Sequence, residues 1–152
     1  MMPAQFDPDA SCAIQLGLHT RDIEQSLHFY RDTLGFVPHG EIFAPGAHIY
    51  GLRFGNCVIK LLQWEAVPEA SNPQEMAVGM RYFTLQVTNA VELAKECQDA
   101  GYEVVHPGGD FVPDGPGPQC TFSMVRDPDG NLIEFAQGSP WAEPIYEFPK
   151  FS

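Results

Sequence analysis

The sequence predicts an α+β chain of two tandem βαβββ modules, on three observations. First, its halves repeat: Ile14-Gln-Leu-Gly-Leu-His-Thr-Arg-Asp22 is echoed by Arg81-Tyr-Phe-Thr-Leu-Gln-Val-Thr-Asn89. Gln15 and Tyr82 then correspond, as do Asp22 and Asn89, and Val58-Ile-Lys-Leu61 is echoed later by Leu132-Ile-Glu-Phe135. Second, apolar residues alternate with polar ones in short runs, except after Asp22 and Asn89, where they recur at helical spacing. Third, Gly- and Pro-containing pairs punctuate the runs where turns are needed.

In the first module a strand over about Ala13–Thr20 puts Ile14, Leu16 and Leu18 on one face and Gln15, Gly17 and His19 on the other. A helix follows over about Ile23–Leu34. Asp22 is its natural N-cap, with Gln25 at the third helical position as in a capping box. Ile23, Leu27, Tyr30 and Leu34 form its buried stripe, and Gly35 suits the residue just past its end. Strands over about Phe36–Phe43, His48–Phe54 and Cys57–Trp64 come next, with turns at Pro45-Gly46 and Gly55-Asn56.

The second module repeats the order. A strand over about Met80–Val87 leads to a helix over about Ala90–Ala100, with Asn89 as N-cap, Glu92 at the third helical position and Gly101 as the stop. A short strand near Glu103–His106, a Gly/Pro-rich loop, and strands near Thr121–Arg126 and Asn131–Gln137 complete it. Asp127-Pro-Asp-Gly130 is the turn between the last two. The predicted organisation is a tail over 1–12, modules over 13–66 and 80–138 joined by a linker over 67–79, and a tail over 139–152, one domain overall. With helices on one side of the strands, the other side carries Gln15, His19, Lys60, Trp64, Tyr82, Thr84, Gln86 and Glu134. A sheet so divided is expected to curl around a ligand.

Composition narrows the partners. The chain has 152 residues and a formal charge of −12, from 20 acidic and 8 basic residues, which argues against nucleic acid and anionic membranes. The charge is compatible with a cationic ligand, although solubility explains it equally well. No apolar run approaches the roughly 20 residues of a membrane span. The start, MMPAQFDPDA, lacks the features of a signal peptide, and the expectation is a cytoplasmic protein. Cys12, Cys57, Cys97 and Cys120 are widely spaced and read as reduced thiols.

The segments Asp22-Ile-Glu-Gln-Ser-Leu-His-Phe-Tyr-Arg-Asp-Thr-Leu-Gly-Phe36 and Asp127-Pro-Asp-Gly-Asn-Leu-Ile-Glu-Phe135 resemble the vicinal oxygen chelate superfamily. That group includes glyoxalase I, extradiol dioxygenases and bleomycin-resistance proteins. The resemblance implies a cupped, incompletely closed eight-stranded mixed sheet with helices outside, and a homodimer. It also implies four positions that hold a divalent metal in relatives, and these fall on Gln15, Lys60, Tyr82 and Glu134.

Two of these positions depart from the family pattern. Lys60 offers an ammonium with no lone pair, and Tyr82 a neutral phenol, a poor ligand for zinc or nickel. No cofactor is therefore expected; if a divalent metal were present, Gln15 and Glu134 would be its ligands. In place of a metal, Lys60 and Glu134 are expected to meet, Glu134 acting as proton acceptor and Lys60 and Tyr82 as stabilisers of an oxyanion. These three are the candidate catalytic residues, with Gln15, His19, Trp64 and Thr84 as substrate contacts. The structural alternatives are a Lys–Glu pair that only seals a cavity, Tyr82 and Trp64 as wall aromatics, and His19 as a satisfied half-buried histidine. His19 also stands where glyoxalase I carries an arginine for the carboxylate of glutathione, which argues against glutathione. His28 is expected to be exposed, and 110–118 is a candidate lid or a surface hairpin.

Three functions remain open. The leading one is a glyoxalase-like small-molecule enzyme, an isomerase or lyase working by proton transfer at a metal-free site. The alternative is a bleomycin-resistance-like protein that sequesters a small organic ligand, and the third a metal-dependent glyoxalase or dioxygenase.

Overall fold

A computed structural model describes Gln5 and residues 14–67, 78–111 and 120–138 of the chain. The expected tails, part of the linker and most of the candidate lid lie outside these residues. The chain separates into two compact units, Met1–Asn72 and Pro73–Ser152.

The first unit contains β1 (Gln15–His19), α1 (Ile23–Leu27), a π-helical turn (His28–Thr33), β2 (Val37–Ala44), β3 (Ala47–Phe54) and β4 (Cys57–Trp64). Its four-stranded sheet has the order β1-β4-β3-β2, with β2, β3 and β4 antiparallel and β1 parallel to β4. The second unit repeats this with β5 (Phe83–Gln86), α2 (Ala90–Asp99), β6 (Val104–Phe111), β7 (Cys120–Arg126) and β8 (Leu132–Gln137), in the order β5-β8-β7-β6. Each unit is thus a βαβββ module with a mixed sheet, as the repeat predicts.

The helices bury one face of each sheet. In the first module Leu18, Leu52, Ile59 and Leu61 pack with Ile23, Leu27, Phe29 and Tyr30, all under 10% exposed. Edge-to-face contacts from Phe29 to Tyr30 and Tyr30 to Phe36, then a stack of Phe36 on Phe54, tie the helix to β3. In the second module Leu85, Ile133 and Phe135 play the same part against Ala90, Leu93, Ala94 and Cys97. Burying each large side chain contributes about 1.5–3 kcal/mol.

Three local features differ from the expected pattern. The first helix does not stay α-helical to Leu34. From His28 it widens, with the Leu34 N–H donating to the Phe29 carbonyl at 2.9 Å. The wider turn brings the adjacent Phe29 and Tyr30 inward together, both at 0% exposure. Asp22 caps α1 by accepting from the Glu24 and Gln25 N–H groups, but the reciprocal half of a capping box is absent: the Asp22 N–H donates to the Thr20 hydroxyl. Asn89 makes no side-chain cap to α2. The Ala90 N–H donates instead to the Gln137 side-chain oxygen at 3.3 Å, and the Ser123 hydroxyl donates to the Ala90 carbonyl at 2.7 Å. The start of α2 is therefore secured by β7 and β8.

The strand after α2 is also longer than expected, reaching Phe111 by absorbing two register shifts against β7. Cys57, Cys97 and Cys120 are free thiols. Burial pushes the Cys97 thiol up to about 12.

The two caps make a test. Asp22→Ala is expected to cost about 1 kcal/mol in denaturant unfolding, Gln137→Ala a comparable amount, and Asn89→Ala markedly less. An Asn89→Ala loss equal to that of Asp22→Ala would contradict the cap seen here.

Candidate functional site

Each module offers a candidate site on the face that its helix leaves uncovered. In the first module the register sets Gln15 opposite Val58, Gly17 opposite Lys60 and His19 opposite Leu62, so Gln15, His19, Lys60 and Trp64 share the helix-free face. Lys60 is central on β4, partly buried, with Gly17 on one flank and Gly51 of β3 on the other. Its ammonium has no hydrogen-bond or ion-pair partner among the described residues. At the end of β4, Trp64 meets the His19 ring edge-on, at 5.9 Å between centroids. The Trp64 indole N–H is buried without an acceptor among the described residues, and a buried donor left unpaired costs about 1–3 kcal/mol.

In the second module the parallel pairing of β5 with β8 sets Thr84 directly opposite Glu134. The Thr84 hydroxyl donates to Glu134 Oε1 at 3.2 Å, orienting a partly buried carboxylate on the helix-free face. β8 enters through the Asp127–Gly130 turn. There the Asp127 carboxylate, 5% exposed, accepts from the Asp129 and Asn131 N–H groups and from the Asn131 side-chain amide. That network is the physical content of the Asp-Pro-Asp-Gly-Asn signature: it fixes where Glu134 emerges. Tyr82 stands one residue before β5 and is 43% exposed, so it flanks the sheet edge without belonging to a strand.

Further residues on this face carry no site signal in the sequence. β7 places Met124 directly opposite Glu134, and β6 places His106 opposite Met124. The His106 ring stacks on Phe122 at 4.6 Å, and its Nδ1 accepts the Gly108 N–H at 3.3 Å. The bulges in β6 hide this placement, because they break the alternation that would reveal it. Cys120 lies on the same face. Its thiol is raised above the ordinary range by burial first, and then by the negative charges of Glu134 and Asp110.

The remaining histidines have other settings. His28 is exposed, as expected. His48 pairs with Glu41 at 2.8 Å and lies between the Phe43 and Tyr50 rings on the helix side of the first sheet.

The donor chemistry at the four family positions suits a divalent metal poorly. Each module offers one serviceable oxygen donor there, Gln15 in the first and Glu134 in the second, and Lys60 adds a positive charge. Among the described residues no three His, Cys, Asp or Glu side chains group to hold an ion. No described helix is long and apolar enough to cross a membrane.

The proximity of Glu134 to Cys120 is testable. Glu134→Gln removes a negative charge that disfavours the thiolate, so alkylation of Cys120 by iodoacetamide near pH 8 is expected to accelerate. Peptide mass spectrometry would read it, with the exposed Cys57 as an internal control. An unchanged rate would place the carboxylate elsewhere.

Known proteins share this architecture. The chain is 30% identical over 122 residues to the virulence protein STM3117 of Salmonella typhimurium, covering 80% of this chain and 81% of that one. Among solved structures, the glyoxylase/bleomycin resistance protein/dioxygenase domain from Frankia sp. EAN1pec superposes with a TM-score of 0.66 at 17% identity, over 82% of this chain and 90% of that one. The trypanothione-dependent glyoxalase I of Leishmania major superposes with a TM-score of 0.60 at 20% identity, over 81% and 84%. Residues 13–135, from the start of the first module into β8 and including the Asp127–Gly130 turn, match the family model, and the chain belongs to the Glyoxalase/Bleomycin resistance protein/Dioxygenase superfamily.

Proposed function

We propose that this protein is a small-molecule enzyme of the glyoxalase-like kind, an isomerase or lyase that moves a proton on carbon next to a carbonyl. The observation that carries the reading is Glu134: a partly buried carboxylate on the helix-free face, oriented by the Thr84 hydroxyl. A carboxylate so held is suited to accept a proton from an acidified C–H and return it to a neighbouring atom. Lys60 holds an anionic or carbonyl oxygen of the ligand, and Tyr82 donates to the oxygen on which negative charge develops. Gln15, His19 and Trp64 contact the substrate, and Thr84 keeps Glu134 in place. No step in this scheme requires a metal, and the protein acts as a homodimer in the cytoplasm.

A second reading, a protein that sequesters an organic ligand without transforming it, is favoured by the apolar character of the first module's helix-free face. Val58, Leu62, Ile49 and Trp64 occupy much of it.

Exchange of carbon-bound hydrogen separates the two. With a panel of 2-oxo acids and hydroxyketones in deuterated buffer, proton NMR is expected to show enzyme-dependent loss of signal from the carbon next to the carbonyl. Glu134→Gln should lower that rate by about a hundredfold or more, the usual scale of a general base, while leaving ligand binding intact. Ligand binding with no exchange across the panel would leave the sequestering reading in place.

A further inference from the structure

The strands of the first module distribute charge unevenly. Their acidic residue is Glu41, which pairs with His48 on the helix side. The helix-free face of the same strands carries two cations, Lys60 and Arg53. The register of β3 against β4 sets Arg53 opposite Val58 and Gly51 opposite Lys60, which makes Arg53 and Lys60 diagonal neighbours. Arg53 donates through one nitrogen to the Gly55 carbonyl at 3.1 Å, and the ammonium of Lys60 has no partner among the described residues. In a chain of formal charge −12, a face with two cations and no carboxylate is a local reversal of sign.

The surroundings of Lys60 add a shape. The neighbours across β1 and β3 are Gly17 and Gly51, so no side chain rises beside the lysine on either strand. At Gly51 a Cβ would lie 3.4 Å from the Gly40 carbonyl, the near limit of ordinary contact. At Gly17 φ is not positive, and a Cβ would meet only Leu62 Cδ1, at an ordinary 3.5 Å. A glycine inside a strand weakens it, and one that packing does not require marks a close approach by something else. One pleat further along, Leu62 and Ile49 stand opposite each other and supply an apolar surface.

We propose that the first module's helix-free face binds a flat organic carboxylate, with Lys60 and Arg53 holding the anion and the body lying over Gly17 against Leu62 and Ile49. This rests on the reading that the helix-free faces bind ligand, and it names the substrate class: a planar, conjugated carboxylate and not a cation.

The test uses cinnamate, its neutral isostere cinnamamide, and cyclohexylpropionate as a puckered carboxylate, titrated into the full chain by calorimetry. Cinnamate is expected to bind at least about tenfold more tightly than cinnamamide, the scale of a charge-assisted hydrogen bond, and more tightly than cyclohexylpropionate. Lys60→Met should remove that advantage, with circular dichroism reporting that the variant is folded. Arg53→Met should weaken cinnamate severalfold. Gly17→Ala, which the fold accommodates, should weaken cinnamate more than cyclohexylpropionate. Equal affinity for cinnamate and cinnamamide, retention of cinnamate affinity in Lys60→Met, or no saturable cinnamate binding at millimolar concentration would each overturn the proposal. Binding needs no turnover, so Lys60-dependent binding without hydrogen exchange would sink the enzymatic reading alone. Exchange in neutral ketones without carboxylate preference would sink this proposal alone.

Discussion

In each module the first strand pairs in parallel with the last, and the chemistry of both helix-free faces depends on that pairing. Side chains alternate along a strand, so a slip of one residue would exchange the buried and uncovered faces. In the first module the register puts Lys60 beside Gly17, and in the second it puts Glu134 beside Thr84. Burial enforces it: Leu18 and Leu61 on one sheet, and Leu85 and Phe135 on the other, reach the helices only in this alignment. The polar residues are held where they are because their apolar neighbours have nowhere else to go.

The two modules share a backbone plan and differ in charge. The matched position on the last strand is a lysine in the first and a glutamate in the second. The first module's helix-free face carries cations and apolar residues. The second carries a carboxylate with His106, Phe122 and Met124 around it. Where a repeated fold is built on one pattern, divergence at the matched positions divides the chemistry between its copies. Membership of the superfamily accounts for the plan and leaves the division to these residues.

Much of this was legible in the sequence, and the exceptions have physical causes. Cys57–Trp64 alternates cleanly between turns, and β4 spans those same residues. Helix α2 ends at Asp99, close to its Gly101 stop signal. The offset between Gln15 and Tyr82 aligned the modules, and parity then put Lys60 and Glu134 on the helix-free sides. By contrast, two bulges spoil the alternation of β6 and hide the face of His106, and the strand expected over Met80–Val87 takes in Tyr82, one residue before β5 begins. The widening of the first helix has no signature in spacing; it follows from the burial of two adjacent aromatics. Nor could local sequence reveal that Gln137, distant in the chain, would take the capping role of Asn89.

That last contact reaches beyond helix stability. β8 is clamped at its entrance by the Asp127 carboxylate and at its exit by Gln137, with Glu134 between the two. A strand held at both ends has little freedom to shift along its neighbours. The position of the Glu134 carboxylate, with the Thr84 hydroxyl beside it, is therefore a property of the fold itself.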